Sequence, residues 1–228
     1  MRLTRLRPST NRLGRDMARH PGVQTDISLR DFIAAVESAE AVHGAVSAAA
    51  VAGSLGAALV TMVATLPQTR SDLEAGRTKL LEAAAGLSAV QHELIETIET
   101  ETAVKLFAAR NMPQASAAQR AERKEAIQLA LRASADVPLE VMRLCARGLE
   151  LAATVAAHSA RPAAADVQLG VALLQAGFDG SRLNLEGKLS SFTDAPYVTF
   201  VVDEIARLTD ETTALRRAAH SLLSVPPA

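Results

Sequence analysis

Apolar positions recur along the chain at spacings of three and four rather than two, which is the period of helices. Residues 28–40 (SLRDFIAAVESAE) place Leu29, Phe32, Ile33 and Val36 on one side, with Ser28 at the N-cap position. Residues 47–66 follow as a helix built almost wholly of small and β-branched residues, ended by Pro67. The spacing predicts a long amphipathic helix over 71–110. Leu73, Leu80, Leu81, Leu87, Leu94, Ile95 and Ile98 form its apolar side, and Glu93, Glu96, Glu99 and Glu101 its polar side. Met112-Pro113 breaks the pattern. Residues 116–135 resume it, and Pro138 is either a kink or the first residue of the next helix, 139–159. Arg161-Pro162 interrupts again before a helix over 166–189, and Ala195-Pro196 introduces the last one, to residue 223. No segment alternates with period two, no internal repeat stands out, and no second core is visible. The expected fold class is all-α, a multihelical bundle, with one domain over residues 26–228.

Composition sharpens this. Of 228 residues, 46 are Ala, and aromatics make up only 3%, which favours closely packed helices over a sandwich of sheets. The single cysteine, Cys145, excludes a disulfide scaffold and a cysteine-based zinc site and fits a reducing, cytoplasmic setting. The net charge of −1 hides an asymmetry: residues 1–20 carry six Arg and one acid, leaving the remainder acidic on balance. Residues 1–25 therefore read as a flexible, Arg-rich tail. An acidic body lacks the clustered cations that phosphate contacts need, so no nucleic-acid partner is expected. Residues 44–69 hold no charge and are long enough to cross a bilayer. Their Ala, Gly, Ser and Thr content drives insertion only weakly, so the expectation is a core helix among other helices, and no membrane partner.

The residues that bear chemistry are sparse. A di-iron bundle needs Glu-x-x-His on two helices, and only Glu40-x-x-His43 matches, so no metal is expected. His92 and Glu96 are spaced for a surface hydrogen bond, and Cys145 reads as a small buried core residue. No Gly-rich phosphate loop or nucleophile elbow occurs. Asp166 precedes an apolar helix, as a helix cap or as a carboxylate beside a helix N-terminus aimed into a cleft.

Three segments, in this order, carry a resemblance. AVHGAVSAAAVAGSLGAALVTMVATL resembles the Pro-Ala-Pro-Gly-Gly-Gly-Ser stretch and Ala-Gly-rich helix of the formiminotetrahydrofolate cyclodeaminase/methenyltetrahydrofolate cyclohydrolase family. RAERKEAIQLALRASADVPLEVMRLC is similar to that family's Arg-Lys-x-x-Ile-Gln-x-Ala-Leu segment with its Val-Pro-Leu-Glu continuation. RPAAADVQLGVALLQAGFDGSRLNLEGKL resembles its Asn-Pro-x-x-x-Ser-Asp-x-Gly helix ending in Leu-Asn-Val, and the likeness spans residues 28–222. It implies a multihelical fold paired as a tight homodimer, with a tetrahydrofolate derivative as substrate in a crevice between helices. The implied chemistry closes or opens the bridge between N5 and N10, a lyase or hydrolase reaction of one-carbon metabolism. The positions implied are Asp166 as the catalytic carboxylate and Gly44, Ser47, Arg70, Glu99 and Asn184 as substrate contacts. The chain departs from the pattern with Ala45 and Val46 for two glycines, Arg70 where a lysine run would stand, Gln168 for a glycine and Lys188 for an asparagine. Two classes of function follow: a folate-dependent enzyme, or a non-catalytic relative that keeps the scaffold and acts through a protein partner. Asp166 and Asn184 are 18 residues apart, five helical turns, so they share one helix face. At 1.5 Å per residue they stand ~27 Å apart, too far for one reacting centre within one chain.

Overall fold

Small residues decide which helices touch. In the computed structural model, which describes residues 28–38, 44–66, 74–98 and 107–223, the helix richest in Ala and Gly packs most extensively of all. The α-helices run in the order α1 Leu29–Glu37, α2 Ala45–Thr65, α3 Glu74–Ile98, α4 Ala117–His158, α5 Ala164–Glu186 and α6 Ala195–Leu223. No strand occurs among the described residues. Helix α2 lies against α5, α3 and α4, and α6 closes the far side of α4.

The α2–α5 contact is a seam of glycines. A Cβ at Gly56 would come within 2.7 Å of the Gly170 carbonyl, and one at Gly177 within 2.7 Å of the Ala49 carbonyl. Gly170 faces Val60 and Gly180 faces Ala49, so the two helices run antiparallel with backbone nearly on backbone. Around this seam Leu80, Leu87 and Leu94 of α3, Met142 and Leu149 of α4, and Leu174, Phe178 and Leu185 of α5 are sealed from solvent. Helix α2 is long and apolar enough to cross a membrane by length and composition, with 44% of its most apolar window buried within the protein.

Several expected boundaries move. Ser28 caps α1 by accepting from the Asp31 amide, as the sequence suggests, but α1 buries no residue and leaves Leu29 and Ile33 exposed. Of the long helix expected over 71–110, Glu74–Ile98 form α3 and residues 107–110 are helical, while 71–73 and 99–106 lie outside the described residues. Leu81, assigned to its apolar side, is 54% exposed. Ser116 caps α4 reciprocally with Gln119. The expected tail, residues 1–25, lies outside the described residues.

Pro138 does not divide two helices; it sits buried inside the 42-residue α4. Proline has no N–H, so the Ser134 carbonyl four residues earlier loses its helical donor. Lys188, just past the end of α5, supplies a replacement: its Nζ donates to the Ser134 oxygen at 2.9 Å. Burial pulls this ammonium below the ordinary lysine pKa, so the bond offsets a desolvation cost. Lys188→Met should therefore destabilise the fold by about 2 kcal/mol, the cost of an unmet buried carbonyl. In a Pro138→Ala background the restored N–H reclaims the carbonyl and the same replacement should cost measurably less. Urea unfolding of the four proteins reads the coupling, and equal costs in both backgrounds would refute it.

A second link ties α4 to α6. Arg143 Nε donates to Glu204 Oε1 at 3.0 Å, and Arg207 Nε donates to Glu204 Oε2 at 2.8 Å. Hydrogen bonds from Arg207 and then Arg143 outweigh burial and hold the Glu204 carboxyl down to about 2. Nearby, Arg132 pairs with Asp194 and stacks its guanidinium 5.2 Å from the Tyr197 ring centre.

Candidate functional site

Helix α5 carries two of the expected site residues and fixes their relation. It is unbroken from Ala164 to Glu186, so the ~27 Å separation of Asp166 and Asn184 holds within one chain. The antiparallel register with α2 then assigns each an end. Ala49 sits beside Gly180 and Val60 beside Gly170. One further turn brings Asn184 level with Ala45 and Val46, at the start of α2. Asp166 falls level with the last turns of α2, near Met62.

The first end gathers Gly44, Ser47 and Asn184. Gly44 is the N-cap of α2 and offers no side-chain cap, so the first N–H groups of that helix lack a capping side chain. A Cβ at Gly44 would meet nothing within 4 Å. Val46 and Ser47 are half-buried on the first turn. Asn184 is half-buried, and its Oδ1 is shut off from solvent without a hydrogen-bond partner. The fully buried Ser181 hydroxyl, one turn earlier on α5, is likewise unpartnered. Buried polar groups in folded proteins are almost always satisfied, so this unpartnered pair is exceptional.

Asp166 stands apart. It is not the helix cap: α5 is capped by Ala163, and Asp166 is the third helical residue, an acid in the first turn where the helix dipole favours it. Its side chain is exposed, and it does not line the cleft described below. Arg70 and Glu99 lie outside the described residues. His92 also differs from expectation: Nδ1 bonds the Ser88 carbonyl at 2.7 Å rather than Glu96. Cys145 is a core residue, its thiol pushed up to about 12 by burial. No cluster of three or more metal-binding side chains occurs among the described residues.

A cleft of about 640 Å³ opens between α5 and α6. Gln168, Gln175 and Asp179 form one wall and Arg216, Arg217 and His220 the other. Sequence reasoning missed every cation in it. The Arg216-Arg217 pair lies late in an amphipathic helix and carries no motif; only the folded pairing of α5 with α6 brings it opposite the glutamines. Gln168 borders this opening rather than filling it, and Val46 belongs to the other end of the bundle.

Comparisons with known proteins bear on the family and the fold. The family model described as formiminotransferase-cyclodeaminase matches residues 28–207. A methenyltetrahydrofolate cyclohydrolase from Methylorubrum extorquens is 29% identical over 197 residues, covering 85% of this chain and 94% of that protein. A formimidoyltransferase-cyclodeaminase from Gallus gallus is 26% identical over 183 residues; the match covers 79% of this chain but only 34% of that longer protein. The crystal structure of formiminotetrahydrofolate cyclodeaminase from Thermotoga maritima shares the fold. Its TM-score is 0.77 at 18% identity, over 87% of this chain and 96% of that one.

Proposed function

Since the chain belongs to the formiminotransferase-cyclodeaminase family, we propose that it is a tetrahydrofolate-dependent one-carbon enzyme that closes or opens the N5–N10 methenyl bridge. The observation that carries this reading is the antiparallel register of α2 on α5, which brings Gly44 and Ser47 level with Asn184, whose buried Oδ1 has no partner. Those are three of the positions that the family pattern assigns to substrate. Either direction of the reaction needs a group that moves a proton at nitrogen and a group that steadies charge at the one-carbon centre. Asn184 can orient the ring by hydrogen bonds, and Asp166 is the acid retained for proton transfer. Their separation requires that the acid come from a second copy.

A homodimer supplies it. Leu55 and Met62 of α2 and Leu169 and Leu183 of α5 leave large apolar side chains exposed along neighbouring helices, with Leu55 at 54% and Leu183 at 61%. Such a face is costly in water and suits a self-complementary contact. The midpoint between Asp166 and Asn184 is residue 175, which lies level with Leu55 in the α2–α5 register. A two-fold axis there carries the Asp166 end of one protomer onto the Asn184 end of the other.

The purified protein should accelerate the loss of near-ultraviolet absorbance of 5,10-methenyltetrahydrofolate and should scatter light as a particle of about twice its 24.0 kDa chain mass. Leu55→Lys should give a monomer and remove the acceleration together. A wild type that neither turns over nor binds the folate would sink the activity, and a monomeric, active wild type would sink the shared site.

A further inference from the structure

The α5–α6 cleft lies outside the site just described. Gln175 is nine residues from both Asp166 and Asn184, so at 100° per residue it faces the opposite side of α5. Its wall from α6 is cationic, and Arg216 and Arg217 pair with no acid among the described residues. Asp179 is the acid among the lining residues, and it is already engaged: Gln175 Nε2 donates to its Oδ2 at 3.1 Å, and Arg182 Nε stands 3.7 Å from its Oδ1. That hydrogen bond fixes the Gln175 amide with its oxygen turned away from Asp179. Gln175 Oε1 is closed off from solvent and meets no donor. Val171, Ala172, Ala176, Ala219 and Leu223 give the opening an apolar lining.

From this we infer that the cleft binds a small amphipathic carboxylate. Each part follows from the lining: the carboxylate from the two guanidiniums that pair with no acid among the described residues, which bind planar anions bidentately, and the apolar body from the aliphatic side chains beside them. The volume suits a molecule of that kind. The inference does not rest on the folate reading, because no pterin is needed and neither Asp166 nor Asn184 takes part.

Benzoate, acetate and benzylamine serve as probes, titrated calorimetrically into the whole chain. Benzoate should bind most tightly, acetate about tenfold more weakly for want of the apolar body, and benzylamine not at all. Arg216→Ala with Arg217→Ala should weaken benzoate about tenfold or more; these residues are exposed, so the fold survives their loss. Absence of benzoate binding, or affinity untouched by the double arginine variant, would overturn the site. Equal binding of benzoate and acetate by the wild type would overturn the assigned apolar body. Turnover of methenyltetrahydrofolate is expected to be unaffected by both substitutions, so failure here is separable from failure of the enzymatic reading.

Discussion

Gly56→Ala should lower the thermal midpoint by roughly 10 °C, a loss of about 3 kcal/mol for a chain of this size. Two effects of the added methyl oppose each other. Alanine in a helix interior gains about 1 kcal/mol over glycine from the backbone entropy of the unfolded chain. Against this, the new Cβ would lie 2.7 Å from the Gly170 carbonyl and 2.8 Å from the Leu174 amide nitrogen. Both atoms belong to a backbone already committed to α5, so no rotamer change relieves the contact. The helix axes must move apart, and the packing of Leu174 and Val60 loosens with them. Gly177→Ala should behave alike, because its Cβ meets the Ala49 carbonyl and the Gly53 nitrogen. Gly86 is the control: its Cβ would meet the tip of the half-buried Leu151 at 2.9 Å, and that side chain can yield. Gly86→Ala should be neutral or stabilise by up to about 1 kcal/mol. Scanning calorimetry of the three variants separates the cases, and a Gly56→Ala protein as stable as the wild type would refute the seam.

These glycines also mark the limit of what the sequence makes legible. A charge-free run of small residues announces that α2 packs closely on something, and the structure makes α5 the most extensive neighbour. Which helix that is does not follow from periodicity, since Gly53 and Gly56 say only that a backbone approaches. Pro138 shows the same limit from the other side. A proline ends a helix when its lost hydrogen bond goes unanswered, and the answer here, Lys188, comes from 50 residues further along the chain. No local pattern can reveal it. Lys188, which stands where the family pattern has asparagine, thus has a structural role in this chain. Among the site residues, Asn184 and Gly44 were nameable by resemblance, and their meeting required the antiparallel register. The cleft arginines were not nameable at all, because an Arg pair on a solvated helix face carries no spacing rule until an opposing wall exists.

The strongest test of the shared site uses two inactive proteins. Asp166→Asn keeps the shape of the side chain but removes its proton-accepting charge, and should reduce turnover at least a hundredfold. Asn184→Leu should reduce it comparably by removing the amide that orients substrate, while satisfying the fold, since the Oδ1 it deletes has no partner to abandon. If each site took both residues from one protomer, no mixture of the two variants could work, yet ~27 Å of unbroken helix already forbids that arrangement. In the proposed two-fold dimer a mixed pair would rebuild one complete site: Asp166 from the Asn184→Leu chain and Asn184 from the Asp166→Asn chain. The second site collects both defects. Random exchange makes about half of the dimers mixed, and each mixed dimer keeps one site of two, so about a quarter of wild-type turnover should return. Unfolding and refolding the proteins together permits the exchange; refolding each alone is the control. Recovery near a quarter requires a site assembled from two copies. Turnover that stays at the level of the separate variants, with mixed dimers demonstrated by mass spectrometry, would show that Asp166 and Asn184 do not serve one reacting centre.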